Sequence, residues 1–499
     1  MECEAIILGS SFSGALLAWI LAARGMRVLI IDRSRHPRFA IGESSTPAAD
    51  LILADLATRH QLPKLAPLAR WGSWQATYPH IGCGKKRGFS YFHHRRGEPF
   101  SDTADHTASL LVAASATDAG SDTHWLRADV DLFLHASAVG AGAASREDCV
   151  IESIERQGAD WSVRFRSLTE GVKDAAETAR APFLIDATGG GGAVARALGL
   201  ERLDDTLLTR TGALFGHFHG VDSWDRLQAA AGNFSTTSPF RSDDAAQHHL
   251  IDGGWMWILR FGDDLASVGI VQPADVCRRW AGGADGTLDS VWQKKLAEYP
   301  SIALLLAASR PTRPLSIMPK MSRLWSRASG DGWAMLPTTA GFIDPLHSSG
   351  IAHGLSGVQR LADLLLAESF DAAAWQAYGT AVIDEVYWID ELVSACYAVL
   401  PDFDRFRLAS TLFFLATVQA ERGYQRGETT ASQGFLAARN APLRMALSAA
   451  RSELILGVET ISGVETISVR LRDRLAPFDP VGLLDPAARH RFAHTAVDK

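Results

Sequence analysis

The chain has 499 residues, of which 47% are apolar and 21% are charged, and its formal net charge is −7. This length exceeds that of one ordinary hydrophobic core and predicts two or three packed regions in a globular protein. The acidic balance, without a basic stripe, argues against a nucleic-acid partner.

The five cysteines lie far apart in the sequence and show neither a CxxC pair nor the Cys/His spacing of a zinc site. We therefore expect no metal site and no disulfide framework, and we expect a reduced, cytoplasmic protein. The apolar segment 5–23 lacks a basic leader and is interrupted by Gly9 and Gly14, which argues against a signal peptide. No segment has the length of a membrane span, so a soluble protein without a membrane partner is predicted.

The N-terminal segments predict the start of a doubly wound parallel sheet. Residues 5–8 and 28–31 are apolar throughout, as in buried strands, and residues 13–24 between them have apolar side chains at helical spacing. A further buried strand over 183–186 runs into four glycines at 189–192. This order of elements is typical of an α/β fold.

The later part of the chain predicts a sheet lobe followed by helices. Residues 206–310 are rich in strand-like alternation, including a hairpin over 254–271 that turns at 262–264. From residue 352 onwards the apolar residues recur at helical spacing. A tandem GVETIS duplication at 457–468 is interpreted as a local insertion within or beside a helix. The predicted regions are a discontinuous dinucleotide-binding domain of residues 1–205 and 311–370, an antiparallel-sheet substrate lobe of residues 206–310, and a helical region of residues 371–499.

The first turn, Gly9-Ser10-Ser11-Phe12-Ser13-Gly14, is a variant of the dinucleotide-binding GxGxxG turn. The outer glycines of that pattern allow the tight turn and the close packing of the helix, and the middle one lets the backbone approach a pyrophosphate. Ser11 replaces the middle glycine, and serine is small enough to keep a pyrophosphate feasible at the helix N-terminus. Asp32 follows at the spacing of a ribose-binding acid. The alternative is an α/β turn that binds no ligand.

The glycines 189–192 also follow a strand, but no acidic residue and second strand follow at the required spacing. We therefore do not expect a separate nicotinamide site.

After Asp32 the chain reads HPRFAIGES over residues 36–44 and continues to Pro47. This sequence resembles the PRFxIGESxxP signature of the flavin-dependent halogenase family, which occurs also in relatives with a p-hydroxybenzoate-hydroxylase-like FAD fold. Such a loop, rich in Gly, Ser and Pro, would lie over the cofactor. The alternative is an ordinary surface loop.

Residues 84–89, GKKRGF, resemble the family's GxKxGF element, in which a lysine captures hypohalous acid and presents it to the substrate. The resemblance assigns this role to Lys86, with Lys85 as the alternative. An amine can hold hypohalous acid through a hydrogen bond or as a haloamine, and burial would lower its pKa. Taken alone, the motif would be read as a solvated basic turn.

Residues 254–260, GWMWILR, resemble the family's GWxWxIP element. Trp255 and Trp257 share one face of a strand, and in the family such a wall separates flavin from substrate. Arg260 stands where the family has proline, which puts the local strand end in doubt. Either tryptophan alone would equally suit a hydrophobic core.

Residues 341–351, GFIDPLHSSGI, resemble the family's FxxPxxSxG element at the start of a helix. Ser349 and Gly350 are the residues to which the resemblance assigns halide, since backbone N–H groups at a helix start suit an anion. The alternative is a helix N-cap without a ligand. His347 replaces a glutamate of tryptophan halogenases, which argues against free tryptophan as substrate and offers a candidate general base.

These four motifs cover roughly residues 1–370 and imply an FAD-binding α/β domain, an antiparallel lobe and a helical C-terminal region. The catalytic residues implied are Lys86, Ser349 and His347. The cofactor-binding residues predicted from the turn and the motifs are Gly9, Ser11, Phe12, Ser13, Gly14, Asp32, Arg38, Gly42, Glu43, Ser44, Asp186, Gly189, Asp344, Pro345, Gly350 and Ile351.

The implied activity is FADH2- and O2-dependent chlorination or bromination of an electron-rich aromatic substrate, either free or tethered to a carrier protein. A separate flavin reductase is the expected partner, because no nicotinamide site is predicted. Two alternatives remain open: an FAD-dependent monooxygenase or dehydrogenase of the same fold, and a catalytically degenerate flavin-binding relative. The second is motivated by Ser11, by Arg260 and by the absence at 336–340 of the Gly-Asp pair common in flavin hydroxylases.

Overall fold

The computed structural model describes residues 1–168, 176–233, 238–262, 264–459 and 463–497. Within these ranges the strands are β1 (Ala5–Leu8), β2 (Val28–Ile31), β3 (Cys83–Lys86), β4 (Gly88–His93), β5 (Ser109–Ala113), β6 (Asp122–Trp125), β7 (Ala144–Arg146), β8 (Cys149–Gln157), β9 (Asp160–Ser167), β10 (Glu177–Ala181), β11 (Phe183–Asp186), β12 (Thr211–His219), β13 (Ala246–Ile251), β14 (Gly254–Arg260), β15 (Leu265–Pro273), β16 (Arg310–Pro311), β17 (Ser316–Met318), β18 (Arg323–Leu324), β19 (Ser329–Gly330), β20 (Trp333–Met335), β21 (Gly341–Phe342) and β22 (Arg491–Phe492). The helices are α1 (Phe12–Ala23), α2 (Pro47–Arg59), α3 (Trp71–Thr77), α4 (Arg127–Gly140), α5 (Ala193–Ala197), α6 (Trp224–Ala230), α7 (Ala274–Ala281), α8 (Leu288–Ala297), α9 (Pro300–Leu305), α10 (Pro337–Ala340), α11 (Ser349–Leu365), α12 (Ala372–Ala398), α13 (Phe403–Gln425), α14 (Thr430–Gln433), α15 (Ala441–Glu459) and α16 (Val464–Leu475).

A mostly parallel sheet forms the centre of the N-terminal domain, with the order β19-β20-β11-β1-β2-β7. Strands β1, β2 and β11 are buried along their whole length, which explains why their sequences are apolar without alternation. Strand β1 lies between β2 and β11, and both pairings are parallel. The predicted βαβ start and the α/β class are confirmed.

A larger mixed sheet has the order β16-β12-β15-β14-β13-β4-β5-β22, and β17 pairs with β12. The predicted hairpin is confirmed, since β14 pairs antiparallel with β15; residue 263 of its turn lies outside the described residues. The sheet also extends beyond the predicted lobe of residues 206–310. Strand β4 pairs parallel with β13, and β22 pairs parallel with β5, so distant segments complete the lobe.

The two faces of this large sheet belong to different hydrophobic cores. The residues of the face toward the N-terminal domain and the long helices include Tyr91, Trp255 and Trp257. The alternate residues, such as Met256 and Ile258, pack with the side chains of α6–α9 in a second core. Alternation along β14 therefore decides which of the two cores each side chain joins.

The predicted C-terminal helical region is confirmed by α12, α13, α15 and α16. The GVETIS duplication spans the end of α15 and the start of α16, and residues 460–462 between them lie outside the described residues. Among the described helices, none combines the length and apolarity needed to cross a bilayer.

Candidate active site

The glycines of the first turn are required by close backbone contacts. A Cβ atom on Gly14 would lie 2.2 Å from the Gly9 carbonyl oxygen, and one on Gly9 would lie 2.5 Å from the Ala187 carbonyl oxygen. Gly9 also has φ +100°, in the region that favours glycine. The first and last glycines of the motif therefore bring β1, α1 and the end of β11 together, as the pattern predicts.

Asp32 ends β2 and is held by the protein itself. Its carboxylate accepts hydrogen bonds from the Ser10 amide at 2.6 Å and the Ser10 hydroxyl at 2.7 Å, and Arg38 donates at 2.9 Å. Burial acts to raise the pKa of Asp32, but the charge of Arg38 and these hydrogen bonds outweigh it and lower the pKa. Asp32 is therefore ionised at neutral pH and fixes the loop after β2.

A cavity of about 280 Å³ opens at the N-terminus of α1 and reaches the inner face of the large sheet. It brings together predicted residues from all parts of the chain, namely Ser11, Phe12, Gly42, Glu43, Ser44, Gly189, Trp255, Trp257, Pro345, Gly350 and Ile351. The other predicted residues do not border it, namely Gly9, Ser13, Gly14, Asp32, Arg38, Lys86, Asp186, Asp344, His347 and Ser349. The buried hydroxyl of Ser44 has no hydrogen-bond partner among the described residues.

Arg127, at the start of α4, is a cavity residue that the motifs did not identify. Its side chain is buried and donates to the Ser11 hydroxyl at 2.5 Å and to the Ile41 and Gly42 carbonyl oxygens at 3.0 and 2.9 Å. Asp131, one helical turn later, accepts from its Nε at 2.9 Å. The guanidinium group therefore joins the glycine turn to the loop that follows β2. An Arg and an Asp four residues apart, the spacing of one helical turn, were the available signal.

Asp186 and Asp344 make structural hydrogen bonds. Asp186 accepts from the Thr188 hydroxyl at 2.6 Å and from the Val194 amide at 2.7 Å, which fixes the turn at 189–192. Asp344 accepts from the Tyr397 hydroxyl at 2.9 Å and from the Thr211 hydroxyl. Burial raises the pKa of Asp344 to about 6.

The two tryptophans of β14 form a wall of the cavity. Their ring centroids are 6.0 Å apart, and both side chains are buried. The Trp255 indole N–H donates to the Tyr397 hydroxyl at 2.8 Å, and the Trp257 indole N–H donates to the Ser267 hydroxyl at 3.0 Å. Gly269 lies beneath Trp257, where an added Cβ atom would be 2.2 Å from the indole ring. Tyr397, on α12, is a positioning residue that the sequence motifs did not reveal.

Arg260, which replaces the family proline, ends β14 and anchors it. Its guanidinium group donates to the Val221 carbonyl oxygen at 3.0 Å and lies 3.1 Å from the Asp243 carboxylate. Its own carbonyl oxygen packs against Gly84, where a Cβ atom would lie only 1.6 Å away. Gly84, the first glycine of the GKKRGF segment, is therefore required because β3 crosses the end of β14.

The structure separates the two candidate lysines. Lys86 has no exposed surface, and its Nζ donates to the Ser45 carbonyl oxygen at 2.5 Å and lies 4.0 Å from the centroid of the Phe89 ring. Lys85 points the other way and forms ion pairs with Asp118 at 2.6 Å and Asp244 at 3.1 Å. Only the amine of Lys86 therefore reaches the interior.

His347 lies in an aromatic cluster. Its ring stacks on Phe413 at 4.3 Å and lies 5.6 Å from Phe414 and 6.4 Å from Tyr91. Neither ring nitrogen has a hydrogen-bond partner among the described residues. Burial, aided by His248, lowers the pKa of His347 well below its ordinary value, so the ring is neutral. A neutral imidazole can accept a hydrogen bond from a substrate hydroxyl, whereas the lowered pKa of His347 disfavours its protonation.

The start of α11, where the halide site is predicted, borders the cavity. Ser348 has φ +55° and precedes the helix, and it borders the cavity together with Gly350 and Ile351. The side chain of Ser349 is buried and does not border the cavity. The backbone at the beginning of this 17-residue helix thus faces the same space as the tryptophan wall.

Three potential metal ligands also come together, although no metal site was predicted. Ligand atoms of His36, His135 and Glu147 lie within 4.8 Å of one another. The His36 nitrogens lie 2.9 Å from the Glu147 carboxylate and 3.3 Å from Arg38, and a cation is disfavoured beside that guanidinium group. We therefore assign this cluster to hydrogen bonds that hold the loop after β2 against α4 and the end of β7.

Comparison with known proteins gives a consistent family. The family model described as tryptophan halogenase matches residues 123–405, more than half of the chain. The chain is 30% identical to tetracycline 7-halogenase of Kitasatospora aureofaciens, over 73% of this chain and 63% of that protein. It is 26% identical to monodechloroaminopyrrolnitrin halogenase PrnC of Pseudomonas fluorescens, over 83% of this chain and 71% of that protein.

The fold is similar to that of halogenase PltM in its complex with phloroglucinol and FAD, with a TM-score of 0.85, 24% identity, and coverage of 99% and 100% of the two chains. This likeness covers nearly the whole chain and shows that the two proteins share one fold. Taken with the family model and the four ordered motifs, it leads to one assignment: the chain belongs to the flavin-dependent halogenase family.

Proposed function

We propose that this protein is an FADH2- and O2-dependent halogenase that chlorinates or brominates an electron-rich aromatic substrate through hypohalous acid delivered to Lys86. The observation that carries the proposal is the position of the Lys86 amine. It lies inside the protein beside Phe89, whose sheet face also holds the tryptophan wall of the cavity. A buried amine at this place suits a reagent that must be kept away from solvent.

The residues around the cavity fit FAD. The N-terminus of α1 and the guanidinium group of Arg127 would hold the pyrophosphate, and Gly42, Gly189 and Gly350 leave room for close approach of the backbone. The unpartnered hydroxyl of Ser44 would bond a polar group of the cofactor. When bound and reduced, FAD would supply the reduction of O2 that oxidises a halide ion to hypohalous acid, with water as the other product.

The protein residues would then control where the reagent goes. The backbone at Ser349 and Gly350 would hold the halide, since N–H groups at a helix start stabilise an anion. Trp255 and Trp257 would keep the substrate away from the cofactor. At Lys86 the aromatic ring would attack the halogen, so that the carbon–halogen bond forms as the oxygen–halogen bond breaks. The hydroxide that is released would take the ring proton and give water. His347 would accept a hydrogen bond from the hydroxyl group of a phenolic substrate.

The decisive experiment is an assay of the purified protein with a flavin reductase, NADH, FAD and bromide or chloride. The panel contains phenols, indoles, pyrroles and a carrier-tethered pyrrole, and products are identified by mass and halogen isotope pattern. We expect a halogenated product that requires halide. A hydroxylated product formed without halide would identify a monooxygenase, and FAD binding without any product would identify a degenerate relative.

The protein is expected to depend on a separate reductase. Without that enzyme, NADH should not be consumed, because no nicotinamide site is predicted. Absorbance of NADH during aerobic incubation with FAD measures this directly. Stoichiometric oxidation of NADH by the isolated protein would contradict the expectation.

Replacing Arg127 with alanine is expected to weaken FAD binding by about ten- to a hundredfold, the effect of losing charge-assisted hydrogen bonds. Titration of FAD fluorescence gives the affinity, and the melting temperature shows whether the fold is retained. Arg127→Lys keeps the charge but not the planar fork, so it should restore only part of the affinity. The exposed Arg226→Ala serves as the control. Equal affinity of the Arg127→Ala variant and the wild type would remove this residue from the cofactor site.

A further inference from the structure

A histidine that belongs to none of the motifs lies between the tryptophan wall and Lys86. His248, on β13, is paired with Trp257 on the antiparallel strand β14 and with Tyr91 on the parallel strand β4. Directly paired residues place their side chains on the same face of a sheet. His248 therefore occupies the centre of the inner face, between the strands that carry the wall and the lysine end of the site.

The contacts of His248 join these two ends. Its ring lies 4.5 Å from the Tyr91 ring and 5.0 Å from the Trp255 ring, and the residue borders the cavity. The Phe89 ring lies 5.9 Å from the His248 ring and 4.0 Å from the Nζ atom of Lys86. The Phe89 ring therefore lies between the His248 imidazole and the buried Lys86 amine.

The hydrogen bonds of His248 fix its tautomer. Nδ1 lies 3.0 Å from the Ala246 carbonyl oxygen and 3.3 Å from the Ser90 carbonyl oxygen, so Nδ1 carries the hydrogen. Burial lowers the pKa of His248 to about 3, and the charge of Lys86 acts in the same direction, whereas hydrogen bonds with the backbone of Ser90, Ala246 and Leu346 act against them. The ring is therefore neutral, and Nε2 keeps a lone pair.

We propose that His248 receives hypohalous acid as it leaves the flavin cavity and directs it to Lys86, by accepting a hydrogen bond from the O–H group of the reagent. The inference rests on the proposed function. The rings that contact His248 on this path belong to Phe89, Tyr91 and Trp255, and among these three side chains the Tyr91 hydroxyl oxygen is the one other acceptor for a small O–H donor. No covalent bond forms or breaks at His248.

The test measures how much hypohalous acid halogenates the bound substrate and how much escapes into solution. The wild type and His248→Phe are given flavin reductase, NADH, FAD, bromide and the best aromatic substrate, with an enolisable dione in solution as a scavenger of escaped hypohalous acid. We expect His248→Phe to lower the ratio of halogenated substrate to halogenated scavenger about tenfold, the effect of one lost hydrogen bond. FAD affinity, measured separately, should remain within a few fold.

His249 offers a matched control on the same strand. It faces the outer core, where its Nδ1 lies 3.0 Å from the Nε2 atom of His94, and it is equally buried. His249→Phe should leave the ratio unchanged, even if the melting temperature falls. An unchanged ratio in His248→Phe, or an equal fall in both variants, would overturn the inference.

If His248→Phe does not fold, His248→Gln decides the question, since the amide oxygen can still accept a hydrogen bond. For His248→Gln, a ratio of halogenated substrate to halogenated scavenger within about threefold of the wild type supports the inference. If His248→Ala folds, binds FAD and leaves this ratio unchanged, the inference is overturned. Failure of the proposed function is a different result. In that case the wild type itself halogenates neither the substrate nor the scavenger.

Discussion

Replacing Lys86 with methionine is expected to reduce formation of the halogenated product by roughly 10²-fold or more, within the range for the loss of a catalytic side chain. Methionine keeps most of the length of the lysine stem and fills the same buried space, but it has no amine to bond hypohalous acid. The rate is measured with saturating reductase and halide. FAD titration on the same preparation shows that the cofactor site is intact.

Lys85→Met is the matched control for this variant. It removes the adjacent amine, whose ion pairs with Asp118 and Asp244 lie near the surface, and such pairs contribute at most about 1 kcal/mol. Halogenation should stay within about twofold of the wild type, because this loss affects stability alone. Full activity in Lys86→Met, or loss of activity in Lys85→Met only, would show that the resemblance assigned the role to the wrong residue.

Replacing Glu385 with alanine is expected to lower the free energy of unfolding by about 3–5 kcal/mol, the cost of breaking a buried ion pair. Glu385 on α12 is buried and accepts from Arg360 at 2.8 and 2.9 Å, while His353 lies at 3.1 Å and the Phe435 amide donates at 2.9 Å. Arg360 and His353 belong to α11, whose first residues face the cavity. Urea unfolding measures the loss.

Asp384→Ala, one residue earlier, is the control because Asp384 is exposed and pairs with Arg444 at the surface. Its loss should cost no more than about 1 kcal/mol. Similar losses in the two variants would mean that the buried network contributes little to holding α12 on α11.

The contribution of Glu385 should also depend on pH. Burial acts to raise the pKa of Glu385, but Arg360 and His353 outweigh it and lower the pKa from 4.5 to about 2. A lowered pKa means that the stabilisation is complete above pH 4.5 and is lost as the pH falls toward 2. The difference in unfolding free energy between the wild type and Glu385→Gln should therefore be constant from neutral pH to about 5 and shrink at lower pH. A difference that grew on acidification would contradict this assignment.

Local periodicity was sufficient to predict the central strands of the N-terminal sheet, the β14–β15 hairpin and the C-terminal helices. It did not predict helices α7–α9, which lie within the range predicted to be rich in strands. Strands β1, β2 and β11 are apolar because both faces are covered, and the long helices carry apolar stripes, so each could be recognised within its own segment. The pairing of β4 with β13 could not be predicted in this way, because these strands are more than 100 residues apart in the chain. No local sequence pattern shows which strands will become neighbours in a sheet. For the same reason the sheet lobe is larger than the predicted range.

In the candidate site, too, some residues could be identified from local sequence patterns and others could not. The motifs identified the glycine turn, the tryptophan wall and Lys86, because each is a contiguous stretch with a specific pattern. Arg127, Tyr397 and His248 were missed because their importance depends on distant partners, such as the Ser11 hydroxyl for Arg127 and the Trp255 indole for Tyr397. A buried side chain acquires such a role only when the tertiary fold brings the partner to it.

The alternation along β14 has a consequence for engineering of the protein. Inserting or deleting one residue ahead of Trp255 would shift the register by one position and turn Met256 and Ile258 inward, replacing indoles with aliphatic chains at the cofactor boundary. An insertion of two residues would keep Trp255 and Trp257 facing the cavity. Insertions or deletions in this strand should therefore be tolerated when they change its length by an even number of residues. Substitutions intended to alter the wall can begin at Met256 and Ile258, which lie on the opposite face of the strand.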